Sequence, residues 1–295
     1  MEYDIKLHIG YRYGSPAAGG RHLLRMMPRD GPGQRIISAE LTVSPQPDES
    51  RERVDFFGNK LLEIAYYQAQ SQTDFILTSR IVRTELAEAP APNEPLSQLH
   101  QEVQNICRVD RNAPHNFLYA SPYVALTDET TAFGQQAIAS ASASATSTYG
   151  AIAAIGHHIF EQMQFDAQAT TVDTPMIEAF TNRRGVCQDF SHIMISALRG
   201  AGIPAGYVSG FLRTEPPPGQ PRLEGADAMH AWVRAWCGAA VGWVEYDPTN
   251  AIFAGVDHIT VAHGRDYGDV APVRGAMRLA GGQSSLMAVD VVPVI

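Results

Sequence analysis

Apolar and polar residues alternate with a period of two over the first part of the chain, from Tyr3 to about Leu86. The alternation is clear from Asp4 to Ile9 and again from Ala39 to Val43, and turn-forming residues such as Arg29 to Gly33 interrupt it. A period of two places every second side chain on the same face of a strand. The pattern therefore predicts an N-terminal all-β domain at residues 1–87.

A short segment rich in proline, residues 88–95, follows the alternating region. Proline fixes φ and removes a backbone N–H, so such a segment favours an extended linker over a continued strand. We expect the domain boundary here, with the second domain at residues 96–295.

The second domain begins with apolar residues at helical spacing. They recur at every third or fourth position in residues 96–106 and 149–165, and again after Gly185. The last of these predicted helices ends at Gly200 to Pro204, because glycine and proline stop helices. The Ala/Ser-rich residues 137–147 favour only a weak helix or a mobile loop.

The pattern after Pro204 is that of strands. Three segments have this character: residues 205–212, 231–236 and 243–246. A proline-rich loop, residues 216–219, separates the first two. The second domain is therefore predicted to combine helices in its first half with a sheet in its second half.

Composition and charge narrow the classes of function. The chain has 295 residues, of which 45% are hydrophobic, as is ordinary for a globular protein. The net charge of −9 arises from 22 basic and 31 acidic residues without a basic block, so we expect no nucleic acid partner. No signal peptide and no stretch of about 20 continuous apolar residues is evident, so we expect no membrane partner and a cytoplasmic location.

The three cysteines lack paired spacing, which favours reduced thiols over a disulfide framework. Cys187 opens the predicted helix after Gly185, where unpaired N–H groups and the helix dipole favour a thiolate. We interpret Cys187 as a candidate nucleophile. Cys107 and Cys237 have no evident base partner and are interpreted as structural thiols.

A predicted hairpin supplies the partners of this nucleophile. Residues 230–236 and 243–247 flank a short Gly/Ala turn. If the turn centres on Gly238-Ala239, His230 lies directly opposite Asp247, and opposed residues project from the same face. Asp247 could then fix the tautomer of His230, while the other ring nitrogen takes the proton of Cys187.

Three segments of the second domain resemble the transglutaminase-like core: RGVCQDFSH at residues 184–192, MHAWV at 229–233 and YDPTN at 246–250. The stretch DFFGN at residues 55–59 and residues 264–275 resemble bacterial transglutaminase-like, cysteine protease-like proteins with an N-terminal β domain. The resemblance covers nearly the whole chain. It implies an α+β fold of the papain-like superfamily, with an N-terminal all-β domain and a core in which the helix carrying the cysteine packs on an antiparallel sheet.

The resemblance also implies roles for individual residues. Cys187 would be the nucleophile, His230 the general base and acid, and Asp247 the residue that orients the histidine. Asn250 is an alternative third member, since some cysteine peptidases use asparagine, but its position after Pro248 favours Asp247. Candidates for the substrate pocket are Gln188, Asp189 and Trp232.

A metal site is the competing interpretation of these residues. Cys187, His192, His230 and Asp247 could in principle bind zinc, although the chain has neither a CxxC nor an HExxH motif. Calcium is not supported, because no EF-hand-like loop is present. We therefore expect no metal and no cofactor.

The expected function is cysteine-dependent acyl transfer on an amide or peptide substrate through a thioester. Hydrolysis, by a peptidase or amidase, and transamidation share the first half of this reaction. The alternative is a binding or scaffold protein that keeps the transglutaminase fold without turnover.

Overall fold

The computed structural model describes residues 1–85, 95–141, 147–214, 225 and 227–294. Its helices are α1 Leu96–Gln104, α2 Asp128–Ser140, α3 Thr148–Gln162, α4 Met176–Asn182, α5 Cys187–Gly200 and α6 Tyr267–Val270. Its strands are β1 Glu2–Leu24, β2 Gln34–Ser44, β3 Glu49–Val54, β4 Lys60–Tyr66, β5 Gln70–Arg83, β6 Gln164–Phe165, β7 Arg184–Gly185, β8 Ala205–Leu212, β9 Ala228–Trp236, β10 Trp243–Asp247, β11 Ile252–Phe253, β12 His258–Gly264, β13 Val273–Arg278 and β14 Gln283–Val294.

The first five strands form the predicted N-terminal antiparallel sheet around the long strand β1. Alternate side chains of β1 are buried, as the period of two predicts: Tyr3, Ile5, Leu7 and Ile9. The first half of β1 pairs with β5 and its second half with β4, with irregular registers between the halves. The curled sheet follows from this change of partner along one strand.

The last two strands of the chain also belong to this sheet. Strand β14 pairs with the first half of β1, and β13 pairs with its second half. The predicted core comprised all of residues 96–295, and this return of the chain to the N-terminal sheet was not predicted. Residues 86–94, which contain most of the predicted linker, lie outside the described residues, so the domain limits stay a prediction.

The core confirms the α+β fold class. Its antiparallel sheet has the order β11-β10-β9-β8-β12, and α5 packs against β8 and β9. Helices α1, α3 and α5 and strands β8, β9 and β10 agree with the sequence prediction, whereas α2 and α4 were not predicted. Residues 142–146 of the Ala/Ser-rich stretch and the proline-rich loop at 216–219 lie outside the described residues.

The β9–β10 hairpin has a different register from the predicted one. Trp236 pairs with Trp243 and Val233 with Tyr246, so the turn centres between Ala239 and Ala240. Extended by one residue, this register sets Asp247 level with Trp232, and the prediction that His230 stands directly opposite Asp247 is wrong. A shift of two residues nevertheless keeps both side chains on one face, because the side-chain period of a strand is two.

Two side-chain amides attach the N-terminal sheet to the core. Strand β12 lies at the edge of the core sheet, which leaves backbone groups on its outer side without a strand partner. Gln34 donates to the Thr260 carbonyl at 2.7 Å and accepts from the Thr260 N–H at 2.9 Å. Asn59 does the same at His263, at 2.8 and 2.9 Å.

The DFFGN stretch gains a structural role from this contact. Asp55 accepts hydrogen bonds from the backbone N–H groups of Phe57 and Asn59 and from the side chain of Asn59. Asp55 also pairs with Arg25 at 3.2 Å. The motif therefore shapes a turn that holds the Asn59 amide against β12.

No helix within the described parts of the chain combines the length and the apolar character that crossing a bilayer requires.

Candidate active site

Cys187 is the first residue of α5, as the sequence predicts. Asp189, in the same first turn, accepts hydrogen bonds from the Val186 N–H at 2.8 Å and from the Thr170 hydroxyl at 2.6 Å. This carboxylate therefore caps the helix and fixes the backbone on both sides of the thiol. Burial raises the pKa of Asp189, although the two hydrogen bonds oppose that effect.

The three cysteines are free thiols in different surroundings. Cys187 is partly exposed, Cys107 is exposed and Cys237 is buried. Of the three, Cys187 is the thiol that acts on the imidazole of His230. The structure thus provides two reference thiols against which the reactivity of Cys187 can be compared.

His230 connects Cys187 with Asp247. Its Nε2 lies 2.7 Å from Asp247 Oδ2, and Cys187 is close enough to act on the same imidazole. Burial alone would lower the pKa of His230, but the hydrogen bonds and charges of Asp247 and Cys187 raise it to about 10. The arrangement favours a protonated imidazolium at His230, held beside the charged carboxylate of Asp247.

Asp247 is fully buried and accepts hydrogen bonds on both oxygens. Its Oδ1 accepts from the backbone N–H of Thr249 at 2.9 Å and of Asn250 at 3.3 Å. Its Oδ2 accepts from the Asn250 amide at 2.7 Å in addition to His230. Burial would raise the pKa of Asp247, yet these donors hold it well below its usual range, so the carboxylate stays charged.

His258 is a further partner of Asp247 that sequence reasoning missed. Its Nε2 lies 3.1 Å from Asp247 Oδ2, and its Nδ1 accepts the Gly255 N–H at 3.2 Å. The second contact requires an unprotonated Nδ1, so His258 donates through Nε2 as a neutral imidazole. His258 begins β12 without any motif around it, and only the pairing of β12 with β8 brings it to the site.

Two regions of the chain match known family descriptions. Residues 3–82 match the bacterial transglutaminase-like N-terminal region, and residues 135–248 match the transglutaminase-like superfamily. An uncharacterized protein of Mycobacterium leprae is 30% identical over 270 residues, which are 90% of this chain and 89% of that protein. The chain belongs to the bacterial transglutaminase-like family.

Other relatives extend the comparison. An uncharacterized protein of Mycobacterium tuberculosis is 41% identical over 143 residues, or 47% of this chain and 46% of that protein. The match therefore spans about half the length of that relative. A crystal structure from Cytophaga hutchinsonii, provisionally described as a cysteine protease, has a TM-score of 0.74 at 21% identity and covers 99% of this chain and 90% of that one. This likeness establishes a shared fold.

The zinc set considered from the sequence is not assembled in this transglutaminase-like core. His192 is buried in α5, where its Nε2 accepts the Tyr267 N–H at 3.2 Å and its ring stacks on Tyr123. Burial and the nearby Arg199 lower the pKa of His192 to about 3, so it is neutral. His192 therefore helps to pack α5 against the start of α6 at Tyr267.

A different set of possible metal ligands does come together. The ligand atoms of His230, Asp247 and His258 lie within 4.8 Å of one another. Both histidines already donate to the carboxylate, and zinc would need bare nitrogens at about 2.0–2.1 Å. Because the two donating ring nitrogens carry protons, His230, Asp247 and His258 fit a hydrogen-bonded cluster better than a metal centre.

The three candidate pocket residues are all buried. Gln188 donates to the Val172 carbonyl at 3.1 Å, and Asp189 caps α5. Trp232 is fully buried, lies 6.1 Å from His230 between ring centres, and donates from Nε1 to Glu245 at 2.7 Å. Their contact with a substrate stays a prediction. The Trp232–Glu245 bond was not foreseen, because it depends on the register of the hairpin.

Proposed function

We propose that the protein is a cysteine-dependent acyl-transfer enzyme that cleaves an amide or peptide bond through a thioester on Cys187. The observation that carries the proposal is that Cys187, at the start of α5, acts on His230, whose imidazole is hydrogen-bonded to the buried carboxylate of Asp247. Each member supports the next: Asp247 stabilises the imidazolium, and the imidazolium stabilises a thiolate.

The first half of the reaction follows from these positions. The Cys187 thiolate attacks the carbonyl carbon, and the carbonyl electrons move to oxygen. The N–H groups of the first turn of α5, which lack intrahelical acceptors, are the donors nearest to that oxygen. The C–N bond then breaks as His230 Nδ1 donates its proton to the departing amine, which leaves a thioester and a neutral imidazole.

The second half regenerates the enzyme. Water or a primary amine attacks the thioester, His230 accepts the proton of the attacking group, and the C–S bond breaks to release the Cys187 thiolate. Water gives hydrolysis and an amine gives transamidation. We propose hydrolysis as the main outcome and transamidation where an amine occupies the site of the attacking group.

The decisive experiment is alkylation with iodoacetamide at pH 6.5, followed by mapping of the modified cysteines by mass spectrometry. An ordinary thiol with a pKa of about 8.5 is almost fully protonated at this pH. We expect Cys187 to react at least about ten times faster than the exposed Cys107 in the same sample. The variant His230→Asn should reduce the Cys187 rate to that of Cys107.

A Cys187 rate no greater than that of Cys107 or Cys237 would contradict the proposal and favour a non-catalytic scaffold. If the thiol is activated, a blocked peptide mixture with and without a biotin-labelled primary amine separates the two reactions. Hydrolysis yields new carboxyl termini or side-chain carboxylates, whereas transamidation yields biotin-labelled peptides. Cys187→Ser is the control that should give neither product.

We propose the cytoplasm as the compartment of this activity. All three cysteines are free thiols, and a reducing compartment maintains that state. Fractionation of cells that express the chain with a C-terminal tag tests this, and recovery in the periplasmic fraction would contradict it.

A further inference from the structure

A cavity of about 500 Å³ lies between the N-terminal sheet and the core. It collects side chains from both: Arg29 and Arg83 come from the N-terminal part, and Arg234, Trp236 and Glu245 come from the β9–β10 hairpin. Cys187, His230 and Asp247 do not line it. The cavity is therefore a feature separate from the proposed active site.

The positive charge of the lining exceeds its negative charge. Arg29, Arg83 and Arg234 surround one partly buried carboxylate, Glu245, whose pKa desolvation would raise but whose contacts with His263, Trp232 and Arg234 lower it to about 2. His263 does not add charge, because burial and Arg234 lower its pKa to about 3. Glu245 thus offsets one of these three guanidinium groups, and the exposed Arg108 and Asp30, which also line the cavity, cancel in net charge.

The arginines bind neutral acceptors within the protein. Arg29 donates to the Asn59 amide oxygen at 3.0 Å, and Arg83 donates to the Gly255 carbonyl at 2.9 Å. Arg234 lies 2.7 Å from His263 Nδ1. A guanidinium carries five N–H groups, so these bonds leave most of its donors for other partners.

Two of the three guanidiniums hold a donor that is both buried and unpaired. The Nε atoms of Arg83 and Arg234 have no hydrogen-bond partner among the described residues, and each side chain belongs to a residue that is only 4% exposed. A buried charged donor without a partner has lost its hydration by water and gained no hydrogen bond in exchange, which destabilises the folded state. An anion in the cavity would offset this cost through space, by stabilising the guanidinium charges, although the enclosed Nε atoms do not themselves contact the cavity.

The walls suit a small ligand. The Arg234 guanidinium lies 3.9 Å from the centre of the Trp243 ring, and Trp236 meets Trp243 edge to face at 5.6 Å. These contacts hold the guanidinium plane in a fixed orientation, as bidentate binding of an oxyanion requires. The exposed residues Asp30, Gly31, Pro32 and Arg108 line the same cavity and open it to solvent.

We propose that this cavity binds a small dianionic oxyanion ligand, a dicarboxylate or a phosphate ester, through Arg29, Arg83 and Arg234. The charge of the ligand balances the two guanidiniums that Glu245 leaves uncompensated. Its apolar part lies against the indole rings of Trp236 and Trp243. The site joins residues of the N-terminal sheet and the core, so an occupied cavity ties the two together.

Thermal unfolding of the full chain tests the proposal with inorganic phosphate and succinate as separate probes, each at 10 mM and matched in ionic strength with NaCl. We expect at least one probe to raise Tm by roughly 3 °C. The response separates the sources: a shift with phosphate alone indicates a phosphate ester, and a shift with succinate alone indicates a dicarboxylate. Succinamide, which is neutral, should give no shift.

Variants locate the binding. Arg83→Gln should abolish the shift, and Arg29→Gln, at a less buried position, serves the same purpose if Arg83→Gln does not fold. Arg12→Gln, which removes an exposed guanidinium elsewhere on the N-terminal sheet, should keep the full shift. Cys187→Ser should also keep the full shift in Tm, since Cys187 does not line the cavity. The proposal is overturned if neither probe stabilises the wild type beyond NaCl, or if the Arg29 and Arg83 variants respond like the wild type.

Discussion

His258 donates a hydrogen bond to the same carboxylate oxygen of Asp247 that accepts from His230, at 3.1 Å against 2.7 Å. One oxygen thus receives two imidazole donors, and the Asn250 amide adds a third at 2.7 Å. The carboxylate cannot rotate without losing several of these bonds at once. His258 is therefore a positioning residue for the histidine that acts on the thiol.

His258→Ala should reduce the free energy of unfolding by about 1–3 kcal/mol, because it removes a donor to a buried charge. It should also slow alkylation of Cys187 at pH 6.5 severalfold, since Asp247 becomes free to move away from His230. Chemical denaturation and the alkylation assay measure the two effects.

His258→Gln is the informative partner of that variant, because a glutamine amide can donate to Asp247 and should restore part of the alkylation rate. His157→Ala, on the exposed surface of α3, is the control and should change neither quantity. An unaltered pH profile of alkylation in His258→Ala would reduce His258 to a packing residue.

Removal of either docking amide should weaken the attachment of the N-terminal sheet. Asn59→Ala leaves one N–H and one C=O of β12 without a partner, so we expect a loss of about 2–4 kcal/mol in unfolding free energy. Gln34→Ala leaves one N–H without a partner, while the Thr260 carbonyl keeps the Arg29 N–H, so we expect a smaller loss of about 1–3 kcal/mol. Equilibrium unfolding in urea provides the measurement. Gln72→Ala, an exposed position on β5, should stay within about 0.5 kcal/mol of the wild type.

Gly156 allows α3 to approach the core sheet closely. A Cβ atom at this position would lie 2.0 Å from Cε1 of Tyr246, the residue before Asp247. We expect Gly156→Ala to lower stability by about 1–3 kcal/mol and to slow Cys187 alkylation, because the end of β10 must shift. Gly282→Ala, where a Cβ atom meets no neighbour within 4 Å, is the matched control. Equal Tm values for the two variants would contradict this prediction, because they would show that Tyr246 can move away from the added Cβ atom without loss of stability.

The buried His192 should make the protein sensitive to mild acid. Its pKa is about 3 in the folded chain against about 6.5 in an unfolded one, so the unfolded state binds the proton first. The unfolding free energy is therefore not reduced by His192 above pH 6.5, and it falls as the pH decreases towards 3. At pH 5 the reduction is roughly 2 kcal/mol.

His192→Gln keeps an acceptor for the Tyr267 N–H without titrating, so its stability should decline less between pH 7 and pH 5. The difference between the two slopes isolates His192, because His263, which shifts in the same direction, is present in both proteins. Parallel curves would exclude His192 as a source of acid sensitivity.

Local patterns were sufficient to predict elements such as β1 and α5. The alternation along β1 reflects one buried side of a strand, and the apolar spacing of α5 marks a helix, which the structure buries on nearly all sides. Cys187 at the start of α5 follows from the same reasoning. The predicted hairpin then indicated His230 and Asp247 as partners, and the likeness to the family added the expected role of each residue.

Features that depend on several distant segments were not predictable in this way. The hairpin register was wrong by two residues, because the turn from Cys237 to Gly242 is longer than the one assumed. His258 reaches Asp247 only through the pairing of β12 with β8. The arginines of the cavity come from three separate strands and loops, and no spacing in the sequence marks them as neighbours.

The placement of β13 and β14 beside β1 has a consequence for the order of folding during synthesis. Strand β1 is translated before the core, whereas its partners β13 and β14 are translated after it. The N-terminal sheet must wait with an open edge while the core forms, and such pairing between distant segments closes slowly. When β13 and β14 pair with β1, the segments before and after the core become parts of one sheet. The last pairing step therefore also stabilises the strand that was made before the core.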